Sequence, residues 1–229
     1  MIDAEALHRS PVADERPGAV HDLRGHTHQK APERARVLAL IVCGCTITNV
    51  AFVLPTWDTW MRLIVALSVL GSIGLLASWS QPSVWRRPRA GEIVLAALSG
   101  VMIYASAWVL SGFAPVGGQM ALLDRWSAGR PAASIAVTVP LAVLGEELFW
   151  RATVLRLAVD RFGMRAGIVL ATGAYALAHV ASGTWLLPVA AFSAGVLWAA
   201  LFVGLRNLAA PIVSHFVFDT VLLLVAPLP

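Results

Sequence analysis

Six ionisable side chains interrupt apolar stretches of this 229-residue chain: Glu146, Glu147, Arg151, His179, His215 and Asp219. A lone charge at the centre of a bilayer costs about 2.5–3.5 kcal/mol on insertion scales, so four formal charges would cost about 10–14 kcal/mol unpaired. Helix–helix hydrogen bonds in membranes return only about 0.6 kcal/mol each on average. These residues must therefore face one another or a water-filled cavity, and they point to function where they meet. Spacing sorts them. Glu147 and Arg151 are four apart, share a helical face and can pair. Glu146 is turned by about 100° from Glu147 and points elsewhere. His215 and Asp219 are again four apart, and His179 follows Tyr175 by four residues on another helix. One helix thus offers a carboxylate beside an internal ion pair, and two others offer imidazoles. A carboxylate and an imidazole together can deprotonate water. Taken singly, each has a plain structural alternative: a packing ion pair for Glu147 and Arg151, a hydrogen-bonded core histidine for His179, a polar helix contact for His215 and Asp219.

The elements that carry these residues are apolar runs at about 37–54, 63–80, 91–113, 133–155, 166–182, 185–204 and 208–227. Each is near the ~20 residues that cross ~30 Å of hydrocarbon. Hydrophobic residues make up 58% of the chain and charged residues 13%, far from the roughly 25% charge of soluble domains. The expectation is an all-α, polytopic membrane helix bundle of about seven transmembrane helices, in domain terms a flexible polar tail at 1–35 and a bundle at 36–229. The first apolar run begins only after Arg36, which does not read as a signal peptide. His21, His26 and His28 read as part of a solvated tail. Cys43 and Cys45 are the two cysteines, too few for a disulfide framework or a paired-cysteine metal site. Turn-like or charged breaks separate the runs: 55–58, 81–89, 117–131, 156–165, 182–183 and 206–207. Gly, Ala and Ser recur within 91–113 and 185–204, as close helix packing in lipid requires.

Lys and Arg fix the expected orientation. With seven spans and a cytoplasmic N-terminus, the inner segments hold Arg9, Arg16, Arg24, Lys30, Arg34, Arg36, Arg86, Arg87, Arg89, Arg156, Arg161, Arg165 and Arg206, which is thirteen. The outer segments hold Arg62, Arg125 and Arg130, which is three. That asymmetry follows the positive-inside rule. The net charge of +4 gives no single basic patch, so no nucleic-acid partner is expected. Depth poses a problem. With cytoplasmic helix ends near 156, 165 and 207, Glu146, His179 and His215 lie ten, fourteen and eight residues in, or about 15, 21 and 12 Å at ~1.5 Å per residue. Their meeting requires the helix from about 166 to be displaced along the membrane normal.

Glu146-Glu147-Leu148-Phe149-Trp150-Arg151 resembles the EExxxR motif of the CAAX protease and bacteriocin-processing (CPBP) family. Tyr175-Ala176-Leu177-Ala178-His179 resembles its FxxxH motif, with Tyr in the Phe place, and His215-Phe216-Val217-Phe218-Asp219 its HxxxN or HxxxD motif. Their order and spacing fit over about 130–227. The resemblance implies an intramembrane glutamic-type endopeptidase, similar to the type II CAAX prenyl endopeptidase, embedded as a multi-pass protein in the cell membrane. It implies that Glu146 is the general base, that His179 is its partner, that His215 and Asp219 stand on the oxyanion side, and that Glu147 and Arg151 hold the site together. The partners implied are the lipid bilayer and a peptide or protein substrate, with or without a lipid attached; no cofactor and no metal is implied. Asp219 departs from the eukaryotic Asn. An ionised carboxylate cannot donate to an oxyanion, so Asp219 either is protonated or orients His215, whose imidazole then donates; the second is favoured. Other readings remain at this point. Glu146, His179, His215 and Asp219 could be zinc ligands, although no HExxH is present. The chain could be a non-catalytic membrane partner or immunity-type protein of the same family. A proton-relaying transporter would carry similar carboxylates.

The charge asymmetry predicts that a C-terminal alkaline phosphatase fusion is active and a C-terminal green fluorescent fusion dark. The reverse pattern would mean an even number of spans.

Overall fold

The computed structural model describes the backbone of residues 23–228 and the side chains of residues 33–228. Every regular element among them is helical: α1 (Leu23–Val53), α2 (Thr59–Ser78), α3 (Ala90–Ser111), α4 (Ala114–Ser127), α5 (Ala132–Glu146), α6 (Arg156–Phe162), α7 (Met164–Leu177), α8 (Leu186–Leu205) and α9 (Ala209–Thr220). A π-helix at Glu147–Leu155 joins α5 to α6 without a break, a 3-10 turn at Val180–Ser182 follows α7, and a π-turn at Val221–Val225 ends α9. Six helices are long and apolar enough to cross a membrane, and the apolar helix at Ala209–Val225 is shorter. The expected bundle is therefore present, with a short last member.

Three expectations change. The first helix begins at Leu23, inside the stretch read as a tail to residue 35, because a helix already nucleated by packing extends at little cost per residue. Residues 1–22, with His21, lie outside the described residues, as do the side chains of His26 and His28. The break read at 117–131 contains α4, since its Ala, Met and Leu outweigh two glycines in helix preference. The break read at 156–165 is helical as far as Phe162, where Arg156 and Asp160 pair one turn apart at 3.7 Å.

The last change removes the depth problem. The turn between α6 and α7 is Gly163 alone, at φ +83°, a left-handed conformation that favours glycine. Glu146 lies 163 − 146 = 17 positions before it and His179 lies 179 − 163 = 16 after it. An antiparallel hairpin brings such positions to one level, so the helix from about 166 needs no displacement. The adjustment falls on α9 instead. Its leading turn is recessed into the protein, with Asn207 and Leu208 buried. Leu208 N–H donates to the Val84 carbonyl at 3.1 Å. The Asn207 amide donates to Glu92 at 3.2 Å and accepts from Ala210 N–H at 3.0 Å.

Lipid removes the hydrophobic force between helices, so close backbone approach carries the packing. α2 lies against the end of α5 and the start of the π-helix through glycines. A methyl group on Gly145 would stand 2.4 Å from the Leu67 carbonyl oxygen, and one on Gly74 would stand 2.4 Å from the Leu148 oxygen. These contacts set the positions of the residues on either side of Glu146 and Glu147. A core of Leu67, Leu70, Phe149, Trp150, Tyr175, Trp198 and Phe202 fills the interior. Leu76, Leu98, Val137 and Val169 point outward, the apolar surface a bilayer covers.

Gly145→Val is expected to lower folding stability by about 3 kcal/mol, the upper end of overpacking costs. Gly173, which faces open space, is the control: Gly173→Ala is expected to be neutral or stabilising. Denaturant unfolding in detergent micelles measures both; equal behaviour of the two variants would refute the close-packing account.

Candidate active site

α7 stops just before His179, and that ending creates the site's first half. The last four carbonyls of a helix lack intrahelical partners, and all four are satisfied here. Ala174 O accepts from Ala178 N–H, and Ala176 O accepts from His179 N–H, both at 3.0 Å. Leu177 O accepts from the Asn49 amide at 2.9 Å. Tyr175 O pairs with His179 Nδ1 at 2.8 Å. A carbonyl only accepts, so Nδ1 carries the hydrogen, and in the neutral ring Nε2 is an acceptor. Asn49 also accepts from Ala181 N–H at 2.9 Å, tying α1 to the chain beyond the histidine.

Glu146 closes α5 and Glu147 opens the π-helix. Bonding from i to i+5 widens the turn, a distortion frequent at functional sites. Glu146 Oε2 accepts a hydrogen bond from the Tyr175 hydroxyl. Its Oε1 faces His179 Nε2 at 3.7 Å. Glu147 is fully buried and pairs with Arg151 at 3.2 Å. The Arg151 guanidinium lies over the Tyr175 ring at 4.3 Å and over the Trp198 ring at 5.1 Å, so its charge is met by a carboxylate and two aromatic faces.

His215, on α9, joins the two carboxylates. Its Nδ1 donates to Glu147 Oε1 at 2.8 Å. Its Nε2 faces Asp219 Oδ2 at 3.5 Å and Glu146 Oε2 at 3.9 Å. Trp198 stacks on the ring with centroids 3.8 Å apart and planes at 20°. The indole N–H donates to Ser214 Oγ at 3.2 Å, and Ser99 donates to the same oxygen at 2.8 Å. A methyl on Gly100 would stand 2.3 Å from the Ser214 carbonyl oxygen, so α3 and α9 touch at backbone distance directly beside the imidazole.

All six residues picked from the sequence thus stand in one cluster. Two details of their expected arrangement are revised. The turn between Glu146 and Glu147 does not separate them, because His215 reaches both. The 2.8 Å hydrogen bond of His215 Nδ1 goes to Glu147, while Asp219 approaches the opposite nitrogen. Three contributors were missed: the Tyr175 hydroxyl, Trp198 and Asn49. Trp198 had a signal, since it sits mid-span whereas tryptophan favours the membrane interfaces. Asn49, a lone amide near the end of a span, had a weaker one. Among the described residues, no three His, Cys, Asp or Glu are grouped as ligands of a single metal ion.

Glu147→Gln strips the buried Arg151 of its counter-charge and is expected to cost about 3–5 kcal/mol, seen as lost yield of folded protein. Glu146→Gln leaves Arg151 and His215 with the Glu147 carboxylate and keeps an oxygen for the Tyr175 hydroxyl, and is expected to fold at wild-type yield. Size-exclusion profiles and melting in detergent check the pair, and equal losses would contradict the division of roles.

Residues 128–221 match the family model described as type II CAAX prenyl endopeptidase Rce1-like. No curated protein and no solved structure matches the chain. Members of that family are generally peptidases, and with its spanning helices the chain is a multi-pass membrane protein. Glu146, Glu147, Arg151, His179, His215 and Asp219 all fall inside the segment that matches the type II CAAX prenyl endopeptidase Rce1-like family model, consistent with the CPBP resemblance of its three motifs.

Proposed function

We propose that the chain is an intramembrane endopeptidase of the cell membrane that hydrolyses a peptide bond of a membrane-associated or lipidated substrate. The observation that carries this reading is the gap between Glu146 and His179. Glu146 Oε1 and His179 Nε2 face each other at 3.7 Å, and both are acceptors once Nδ1–H is committed to the Tyr175 carbonyl. Two acceptors just beyond direct hydrogen-bond distance suit one water that donates to both. Glu146 takes a proton from that water as its oxygen attacks the substrate carbonyl carbon. The carbonyl oxygen becomes an oxyanion, and His215, held as the imidazolium among the carboxylates of Glu147, Glu146 and Asp219, keeps Nδ1–H on Glu147 and donates from Nε2–H to it. A positioned donor of this kind contributes about 2.7–4 kcal/mol. The tetrahedral intermediate then breaks its C–N bond, and the proton on Glu146 passes to the leaving nitrogen, giving a new carboxylate and a new amine.

Tyr175 supports these roles by holding Oε2, which leaves Oε1 for the water. Asp219, where the eukaryotic family member has Asn, lies beside the donor nitrogen of His215, so it positions that ring rather than donating itself. The hydrophobic walls of the bundle exclude bulk water and strengthen each of these interactions.

Glu146→Gln is expected to reduce peptide release by about 10²–10⁴-fold, the range of general-base contributions, with folded protein retained. Quantitative proteomics of peptide fragments from membranes of wild-type and variant cells measures the loss, alongside metal analysis of the purified protein. Undiminished fragments in the variant would sink the hydrolytic reading. Stoichiometric zinc whose removal stops release would replace it with a metal-dependent one.

A further inference from the structure

α1 lies outside the matched segment 128–221, yet one face of it is set against the end of α7. Cys45, Asn49 and Phe52 follow one another at intervals of four and three, the spacing of a single helical face. Cys45 Sγ donates to the Ala174 carbonyl at 3.3 Å. The Phe52 ring stands 6.0 Å from the His179 ring. Between these two contacts, Asn49 Nδ2 donates to the Leu177 carbonyl at 2.9 Å, and Asn49 Oδ1 accepts from Ala181 N–H at 2.9 Å. The second hydrogen of Nδ2 goes to the Cys45 carbonyl at 2.9 Å, so the partners fix which end of the amide donates.

Leu177 and Ala181 are four apart, so in a continued α-helix the N–H of Ala181 would donate directly to the carbonyl of Leu177. The Asn49 amide stands in place of that bond and satisfies both of its members. Opened there, the chain leaves the helical path: His179 has φ −110° and ψ 3°, against about −63° and −42° in an α-helix. Its N–H donates to Ala176 O at 3.0 Å, three residues back instead of four. The Tyr175 carbonyl, which a continued helix would give to that N–H, is left to accept from His179 Nδ1 at 2.8 Å.

From this geometry we infer that Asn49 is a positioning residue of the site: its amide replaces one rung of α7, ends the helix at His179, and so determines which ring nitrogen of His179 carries the hydrogen and which faces Glu146. The consequence for peptide release rests on the hydrolytic reading; the consequence for the ring and backbone of His179 does not. With an apolar side chain at position 49, Leu177 O and Ala181 N–H lose their shared partner, and backbone groups left unpaired away from water are costly. Their nearest remedy is each other. Closing that bond extends α7 through His179, returns its N–H to Tyr175 O in competition with Nδ1, and re-aims the ring that now faces Glu146 Oε1 at 3.7 Å.

Solid-state NMR of the full-length chain in lipid bilayers reads both the ring and the backbone. His179 is the one histidine that follows an alanine, so carbonyl-labelled alanine combined with carbon- and nitrogen-labelled histidine selects it. The wild type is expected to show a ring protonated at Nδ1 and a non-helical Cα shift. In Asn49→Leu and Asn49→Ala the Cα shift is expected to move to the helical value and the Nε2–H tautomer to appear. Peptide release from membranes is expected to fall about 10²-fold, the cost of a ~1 Å misplacement. Leu keeps the volume of the amide and Ala does not, so if one variant fails to fold the other reports. An unchanged Cα shift or an unchanged ring in a folded variant overturns the inference, as does a changed ring with undiminished release where Glu146→Gln abolishes it. Failure of both variants to fold overturns it too, since the amide would then hold the bundle rather than the ring. The spectra need no turnover: the expected shifts without Glu146-dependent peptide release would leave the placement of His179 by Asn49 standing and remove the hydrolytic reading alone.

Discussion

Glu147 is a carboxylate with no exposure, in a bundle whose surroundings cannot hydrate it. An isolated charge in such a place is intolerable, and the energy returned by partners depends on geometry. The arrangement around it answers that constraint. Arg151, one turn along, brings the opposite charge at 3.2 Å. His215 brings a donor from a different helix at 2.8 Å. Arg151 in turn needs company on its other faces and finds the rings of Tyr175 and Trp198. Four elements, namely the π-helix, α7, α8 and α9, are thereby drawn to one carboxylate. The pair is weak evidence for stability in its own right, since desolvation offsets much of the Coulomb gain. Its consequence is registry: no neighbouring helix can slide by a turn without stranding a charge.

That registry sets up the chemistry next door. With Arg151 and Trp198 fixing Tyr175, and Tyr175 holding one oxygen of Glu146, the other oxygen is left facing His179. The His179 ring is fixed in turn by a helix end, because its Nδ1 satisfies a carbonyl that the terminated helix leaves without a partner. The backbone thus decides which imidazole nitrogen accepts. The same economy appears at α9, where Glu147 serves both Arg151 and His215. Positioning and charge neutralisation are done by one set of contacts.

Close packing of glycines makes this possible. Gly71, Gly74 and Gly145 let α2 reach the backbone of the segment bearing both carboxylates, and Gly100 lets α3 reach that of Ser214. In hydrocarbon these approaches substitute for the hydrophobic drive of a soluble core. They also leave the last helix short and its first turn buried, with Asn207 and Leu208 bonded to the α2–α3 connection and the start of α3. A helix that began at the membrane surface would carry His215 to a different level.

The sequence by itself determined the class of the protein, because apolar runs of spanning length and arginine-rich breaks need no partner to be read. It also singled out Glu146, Glu147, Arg151, His179, His215 and Asp219, because an ionisable residue in hydrocarbon is costly wherever it sits. The pairing of Glu147 with Arg151 was legible for the same reason as any one-turn pair on a helix. What it left undetermined were relations between helices. The single-glycine turn at Gly163 was hidden by arginines that read as a loop, and with it the common level of Glu146 and His179. The π-helix leaves no periodic trace in nine residues, so the shared hold of both glutamates on His215 was invisible. The Tyr175 hydroxyl and the Trp198 stack became meaningful only when neighbouring helices placed a carboxylate and an imidazole against them. Local composition fixes which groups demand partners; only the tertiary packing decides which partners they get, since the contacts join residues far apart in the chain, 29 positions for Tyr175 to Glu146 and 68 for His215 to Glu147.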